Sequence, residues 1–250
     1  MNNEKFLVFL GDNIIQKSII DFVENFKNSD YDATVLLCEV DNPSRFGIAD
    51  VKNDKIIKIT EKPKNPESNL AVTGIYLLTP KIFEIIDDLK PSWRNELEIT
   101  DALDNLLKQN NNISFEKITD YWKDTGTPED IIHANGEIIK KMLEQEEQKN
   151  DEYVVGEETV IESNVTIKGP VIIGKNCQIS SGSSIGPNVS VGDNTIIAVS
   201  SIDNSIIMKN CKINSVTEIK NSIIANNSEI KDEKGIKKIF LLGEGSKVSL

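Results

Sequence analysis

The sequence is poor in the residues that usually announce a catalytic centre. One histidine, His133, stands in 250 residues, and the three cysteines, Cys38, Cys177 and Cys211, are scattered. No C-x-x-C pair or zinc spacing forms. That excludes a thiolate metal cage and a dithiol redox motif, and it fits a reducing compartment. Neither G-x-G-x-x-G nor G-x-x-x-x-G-K-[ST] occurs, so the two usual phosphate cradles are missing. Gly243-Glu244-Gly245 has no helix pattern after it. The apolar run Phe6–Leu10 falls far short of the ~20 residues that span a bilayer, and no basic segment precedes it. The expected compartment is the cytoplasm, with no membrane partner. Positive charge is short too: 28 Lys and Arg against 40 Asp and Glu leave a net −12. Such a chain repels a nucleic-acid backbone. A phosphorylated small molecule stays within reach, because one local pair of cations can hold it.

What the chain does have is a ladder. Val155, Ile161, Ile167, Ile173, Ile179, Ile185, Val191 and Ile197 stand six residues apart. Six is three strand repeats, so all of them face one side of an extended chain. One strand of that length is implausible, since strands run about 3–10 residues. The chain must turn at regular intervals and stack, and hexapeptide repeats are a signature of parallel β-helices. An antiparallel sandwich shows such spacing only by chance. Thr159, Val165, Val171, Cys177, Ser183, Val189 and Thr195, four after each rung, are small or β-branched. Asn164, Asn176, Gly182, Asn188 and Asn194, three after, tolerate left-handed backbone at a corner. The spacing predicts a triangular prism over residues 151–250; its handedness is left open. The ladder breaks after Ile197 and resumes at Ile207, Ile213 and Ile219, with the spare residues expected in a corner loop. Such ladders serve acyltransferases and nucleotidyltransferases alike. A hexapeptide acyltransferase is expected to place a histidine base in or beside the β-helix, and residues 153–250 contain none.

Residues 1–150 alternate strand and helix patterns, which predicts an α/β domain. Phe6–Leu10 reads as a buried strand of a parallel sheet. Strand patterns follow at 33–40, 55–60 and 70–78, and helix faces at 19–26, 82–89 and 99–107. Thr127-Pro128-Glu129-Asp130 reads as an N-cap, a Pro at N1 and acids in the first turn. The helix it opens fades into a charged linker, 144–152.

Several residues are candidates for chemistry, each with a plainer reading. Asp12 ends the first strand, where ligands of open α/β sheets bind, although Gly-Asp-Asn is also turn chemistry. Asp124 precedes a glycine turn, and two such carboxylates can hold Mg²⁺ on phosphates. Pro63 favours an extended Lys62, which would hold that lysine at the mouth of a sheet. Lys62 and Arg94 together could bind a phosphate dianion or be surface charge.

The order of the motifs is more specific than any one of them. Residues 6–13 (FLVFLGDN), 45–49 (RFGIA), 61–63 (EKP), 71–76 (AVTGIY), 94–101 (RNELEITD) and 121–126 (YWKDTG) run in series. This series resembles the sugar-1-phosphate nucleotidyltransferases, in particular the long form of glucose-1-phosphate thymidylyltransferase. The resemblance implies a partial Rossmann-like nucleotidyltransferase domain over 1–150 and a left-handed parallel β-helix over 151–250. It implies transfer of a nucleotidyl group, from dTTP in the first instance, to a sugar 1-phosphate such as glucose 1-phosphate. Asp12 and Asp124 would hold Mg²⁺, and Lys62 and Arg94 would clamp the sugar phosphate as the catalytic pair. Asn13, Gly47, Glu61, Val72, Gly74 and Tyr76 would complete the substrate site, and a homo-oligomer is expected. Two departures stand out. The family's G-G-x-G-T-R-L-x-P loop and downstream lysine, about a hundred residues in all, are absent, so the 250-residue chain is expected to be inactive alone. Asn95 also follows Arg94 where the family has Gly. The alternative is a non-catalytic regulatory or assembly subunit that binds sugar phosphate.

Overall fold

A computed structural model describes residues 4–145, 152–232, 241–243 and 247–249. Most of the predicted linker 144–152, and Glu244 and Gly245 of the C-terminal motif, lie outside the described residues. The chain forms two compact units, Met1–Thr125 and Gly126–Leu250. Among the described residues no helix is long and apolar enough to cross a membrane.

The first unit runs β1 (Phe6–Phe9), β2 (Asn13–Ile15), α1 (Ile20–Lys27), β3 (Ala33–Glu39), β4 (Gly47–Lys52), β5 (Lys55–Glu61), β6 (Leu70–Leu78), α2 (Lys81–Asp87), α3 (Ile99–Lys108), β7 (Ile113–Ile118) and β8 (Trp122–Asp124). A mixed sheet in the order β5-β4-β6-β3-β7 is built round β6, every residue of which is buried. One edge of β6 carries β3. The other edge is shared: Ile48 of β4 pairs with Ala71 near its start, and β1 pairs with Ile75–Leu78 at its end. β4 and β1 therefore part company opposite residues 72–74, and that gap becomes the site. Packing follows strand alternation. Val35, Leu37, Val72 and Tyr76 face α2 and α3, whereas Leu36, Ile75 and Leu77 face Phe22 and Phe26 of α1.

β1 corrects the reading of a buried parallel strand. It is antiparallel to β6 and has no second neighbour among the described residues. Phe6 and Val8 pack on the core, but Leu7 and Phe9 on the other face are each 41% exposed. An apolar run gives the same composition in both settings; its partners decide which one it is.

The second unit opens with α4 (Pro128–Gln145). The Thr127 hydroxyl accepts from the Asp130 amide at 3.2 Å and donates to the Asp130 carboxylate at 2.7 Å, which caps the helix as the sequence indicates. A parallel β-solenoid follows. Its rungs form three columns: Val155, Ile173, Val191, Ile207 and Ile224; Ile161, Ile179, Ile197, Ile213 and Ile230; and Ile167, Ile185, Ile202 and Ile219. Ile202 overturns the expected corner loop. The strand Ile196–Asp203 runs on without a break, shifts register between Val199 and Ser201, and delivers Ile202 as the next rung. A bulge absorbs the shorter step. Corner positions Asn176, Asn194, Asn210 and Asn227 have φ of 55°, 58°, 59° and 60°. Their side-chain amides join in series at 3.4, 3.2 and 3.2 Å, each donating to the next. Cys177 and Cys211 are buried in the stack as small apolar fillers, and burial pushes the Cys211 thiol up.

Ile202 is fully buried while Ile196 is 37% exposed. Ile202→Ala should cost about 2–5 kcal/mol in urea unfolding. Ile196→Ala should cost well under ~1 kcal/mol. Equal losses would contradict the rung assignment.

Candidate functional site

The site begins with a row across three strands. Glu61 of β5 pairs with Gly47 of β4. The antiparallel pairing of Ile48 with Ala71 carries Gly47 towards Val72 of β6. Paired residues project from the same face, so Glu61, Gly47 and Val72 share the face covered by α3. That helix is registered on β5 at two points one turn apart. Asp104 accepts the Ile59 amide at 2.9 Å, and Thr100 donates its hydroxyl to Glu61 Oε2 at 2.8 Å. Gly47 is required beneath this contact, because a Cβ there would collide with the Thr100 methyl and press on the Glu61 carboxylate. Burial pushes the Glu61 carboxyl up and the Thr100 hydrogen bond opposes it; Glu98 raises it further, whereas Lys62 and Arg94 lower it. The folded-state value lies above the unfolded one. The stability that Glu61 contributes is therefore full below the ordinary carboxylate range and is lost as pH rises through the raised value.

Two cations flank Glu61. Lys62 Nζ lies 3.9 Å from Glu61 Oε1, and its amide donates to the Phe46 carbonyl at 3.0 Å. The expected extended backbone at Lys62 is not found: φ is +40°. The amide bond to Phe46 holds the residue in this strained conformation against the preference that Pro63 imposes, and such strain gathers at functional positions. Arg94 reaches Glu61 at 3.5 Å, Glu98 at 3.1 Å and Glu96 at 2.8 Å. Asn95 has φ +62°, the left-handed conformation a glycine would take. The departure after Arg94 therefore preserves the turn.

The second group of residues forms where β2 meets β8. Asn13 pairs with Asp124, and the Thr125 amide and hydroxyl both donate to the Asp12 carbonyl, at 2.9 and 2.7 Å. Asp12 and Asp124 thus stand at adjoining strand ends. Asn13 is buried, and its side chain is fully engaged. Its oxygen accepts from the Gly74 amide at 2.9 Å and from the Trp122 indole at 2.8 Å, while its NH₂ donates to Asp12 at 2.9 Å. A Cβ on Gly74 would strike Asn13. Tyr76 is two positions beyond Gly74 on the same face, and its phenol is held well above the ordinary range by burial, then by the charges of Glu61 and Asp12.

All the residues predicted for the site fall into these two groups; His133, on α4, belongs to neither. Sequence reasoning missed Thr100, Glu98 and Trp122 as individual contributors. Each lies inside a quoted motif, but only the fold shows which carboxylate or amide it holds. The site's donors are hard oxygens. Among the described residues no three His, Cys, Asp or Glu gather closely enough to hold a metal by themselves.

The family described as nucleotidyl transferase matches residues 1–141, and the GMPPB C-terminal domain matches 167–249. The low-salt glycan biosynthesis nucleotidyltransferase Agl11 of Haloferax volcanii is 36% identical over 222 residues, covering 86% of this chain and 62% of its own length. A glucose-1-phosphate thymidylyltransferase of Streptomyces antibioticus is 38% identical, covering 85% and 62%. The bifunctional protein GlmU of Methanococcus aeolicus is 42% identical, covering 83% and 52%. Among solved structures, a putative glucose-1-phosphate thymidylyltransferase from Bacillus anthracis, in complex with a sucrose, matches with a TM-score of 0.50 and 47% identity over 54% of each chain. The chain thus spans roughly half to three-fifths of the relatives it matches.

Thr100→Val keeps the methyl over Gly47 and removes the hydroxyl. The Glu61 carboxyl should then titrate at higher pH than in the unaltered chain, followed by carbon NMR of its side chain. A downward or absent shift would show that Thr100 does not set the charge of Glu61.

Proposed function

The chain belongs to the nucleotidyl transferase family, and from that premise we propose that its first unit binds a sugar 1-phosphate, glucose 1-phosphate in the first instance, as acceptor of a nucleotidyl group. In the proposed reaction a phosphate oxygen of the sugar 1-phosphate attacks the α-phosphorus of a nucleoside triphosphate, dTTP by preference. The bond from that phosphorus to the β-bridging oxygen breaks, and pyrophosphate leaves. The protein's contribution is positioning and charge neutralisation.

One observation carries this reading: a largely buried carboxylate, Glu61, stands 3.9 Å from Lys62 and 3.5 Å from Arg94. A carboxylate recognises sugar hydroxyls, and an adjoining pair of cations recognises the phosphate. Glu61 would accept hydrogen bonds from the sugar hydroxyls, with Val72, Gly47 and Gly74 shaping the floor beneath the ring. Lys62 and Arg94 would bind the phosphate and orient its oxygen. Asn13 would act through Asp12, which it orients, and Tyr76 would wall the crevice as a neutral phenol. Asp12 and Asp124 suit Mg²⁺, which takes hard oxygens and usually one or two protein carboxylates beside substrate phosphates and water. When bound there it would offset phosphate charge.

The G-G-x-G-T-R-L pattern does not occur in these 250 residues. We accordingly propose that the 250-residue chain binds the sugar phosphate but does not turn over by itself. Calorimetric titration with glucose 1-phosphate and Mg²⁺ should give binding that Lys62→Ala weakens at least about tenfold. No binding, or binding indifferent to Lys62, would overturn the site. Thymidylyl transfer by the purified chain should be undetectable, and turnover at an ordinary enzymatic rate would overturn the proposed inactivity.

A further inference from the structure

Arg94 is already occupied by anions, and these differ in kind. Its Nη1 edge faces Glu98 at 3.1 Å and Glu61 at 3.5 Å, and both carboxylates are nearly buried, with side-chain exposures of 11% and 13%. Each has a second tie. Glu98 accepts from the Ser92 hydroxyl at 3.0 Å, and Glu61 from Thr100 at 2.8 Å. The Nη2 edge faces Glu96 at 2.8 Å, and that side chain is 56% exposed, with no second tie among the described residues. The loop brings Glu96 back onto Arg94. Asn95 turns in the left-handed conformation, its amide donates to the Ser92 carbonyl at 2.9 Å, and the Ser92 amide donates to the Glu96 carbonyl at 2.8 Å.

We propose that Glu96 is a resident counter-anion on the Nη2 edge of Arg94, displaced by the incoming phosphate, while Glu98 anchors the opposite edge. The inference rests on Arg94 as a phosphate ligand, as argued above. An exposed ion pair is weak and screened by salt. A phosphate with several acceptor oxygens makes stronger, forked contacts to a guanidinium, so it wins the exchange, whereas a neutral sugar does not. Glu96 therefore subtracts from the affinity for a phosphate that must displace it and leaves the affinity for a neutral sugar untouched. It also keeps Arg94 extended in the ligand-free site. Glu98 is a positioning residue in this scheme.

The test is calorimetric titration of the full 250-residue chain with glucose 1-phosphate and Mg²⁺, with glucose as the neutral control. E96Q, and E96A as a second variant, should bind glucose 1-phosphate about two- to fivefold more tightly and leave glucose unchanged. E98Q should weaken glucose 1-phosphate binding about tenfold, with partial recovery in E98D. Unchanged or weaker binding in E96Q and E96A, while R94A still abolishes binding, would overturn the counter-anion role and leave the site reading standing. An equal gain for glucose would overturn it as well. Failure of the unaltered chain to bind, or indifference to R94A, would overturn the site reading and this inference together.

Discussion

The site hangs on one buried side-chain amide. Asn13 ties three separate pieces of chain: the Gly74 amide in the central strand, the Trp122 indole in β8, and the carboxylate of its neighbour Asp12. The oxygen takes two donors and the nitrogen donates to one acceptor, so neither atom of this buried group is without a partner. The arrangement works only because Gly74 carries no side chain and β1 has already parted from β4 at that point. Asp12 is thereby aimed, and β2 is held against β8 with Asn13 opposite Asp124. A polar network of this kind is rigid when complete and costly when one member is lost.

The sugar side of the crevice follows the opposite logic. Glu61 is kept partly out of water at a cost to its ionisation, and Thr100, Lys62 and Arg94 recover part of that cost. Lys62 adds backbone strain. These are local sacrifices of stability, and a fully buried central strand with α3 pinned at Asp104 and Thr100 can absorb them. Among the described residues the solenoid's columns are apolar, and its left-handed corners carry asparagine or glycine except at Glu158, whose φ is +60°.

The solenoid was legible because a six-residue period admits few geometries. Val155 to Ile197 align in the structure as the spacing requires. Legibility ended at Ile202, where a five-residue step lies against a six-residue step of the neighbouring strand; the pattern alone does not separate a shortened side from an inserted loop. In the first unit the helices read well from apolar spacing, and so did strands such as Leu70–Leu78. β1 misled because apolar composition does not report which neighbours are present, and Lys62 because a tertiary hydrogen bond outweighed the local influence of proline. The candidate residues were legible as an ordered series of motifs. Their mutual contacts were not: the bond from Thr100 to Glu61 joins residues 39 apart, and that from Trp122 to Asn13 joins residues 109 apart. Only the sheet register creates such proximity.

The row of asparagines at the solenoid corner bears on chemical ageing. From Asn176 through Asn194 and Asn210 to Asn227, every amide donates in the same direction along the stack. Deamidation of an interior member leaves a carboxylate, which still accepts from the coil before it but cannot donate to the coil after it. One such event at Asn194 therefore cuts the row on one side only and sets a negative charge beside the Asn210 oxygen. Damage to this corner is directional, and the order of the coils determines which neighbour is affected.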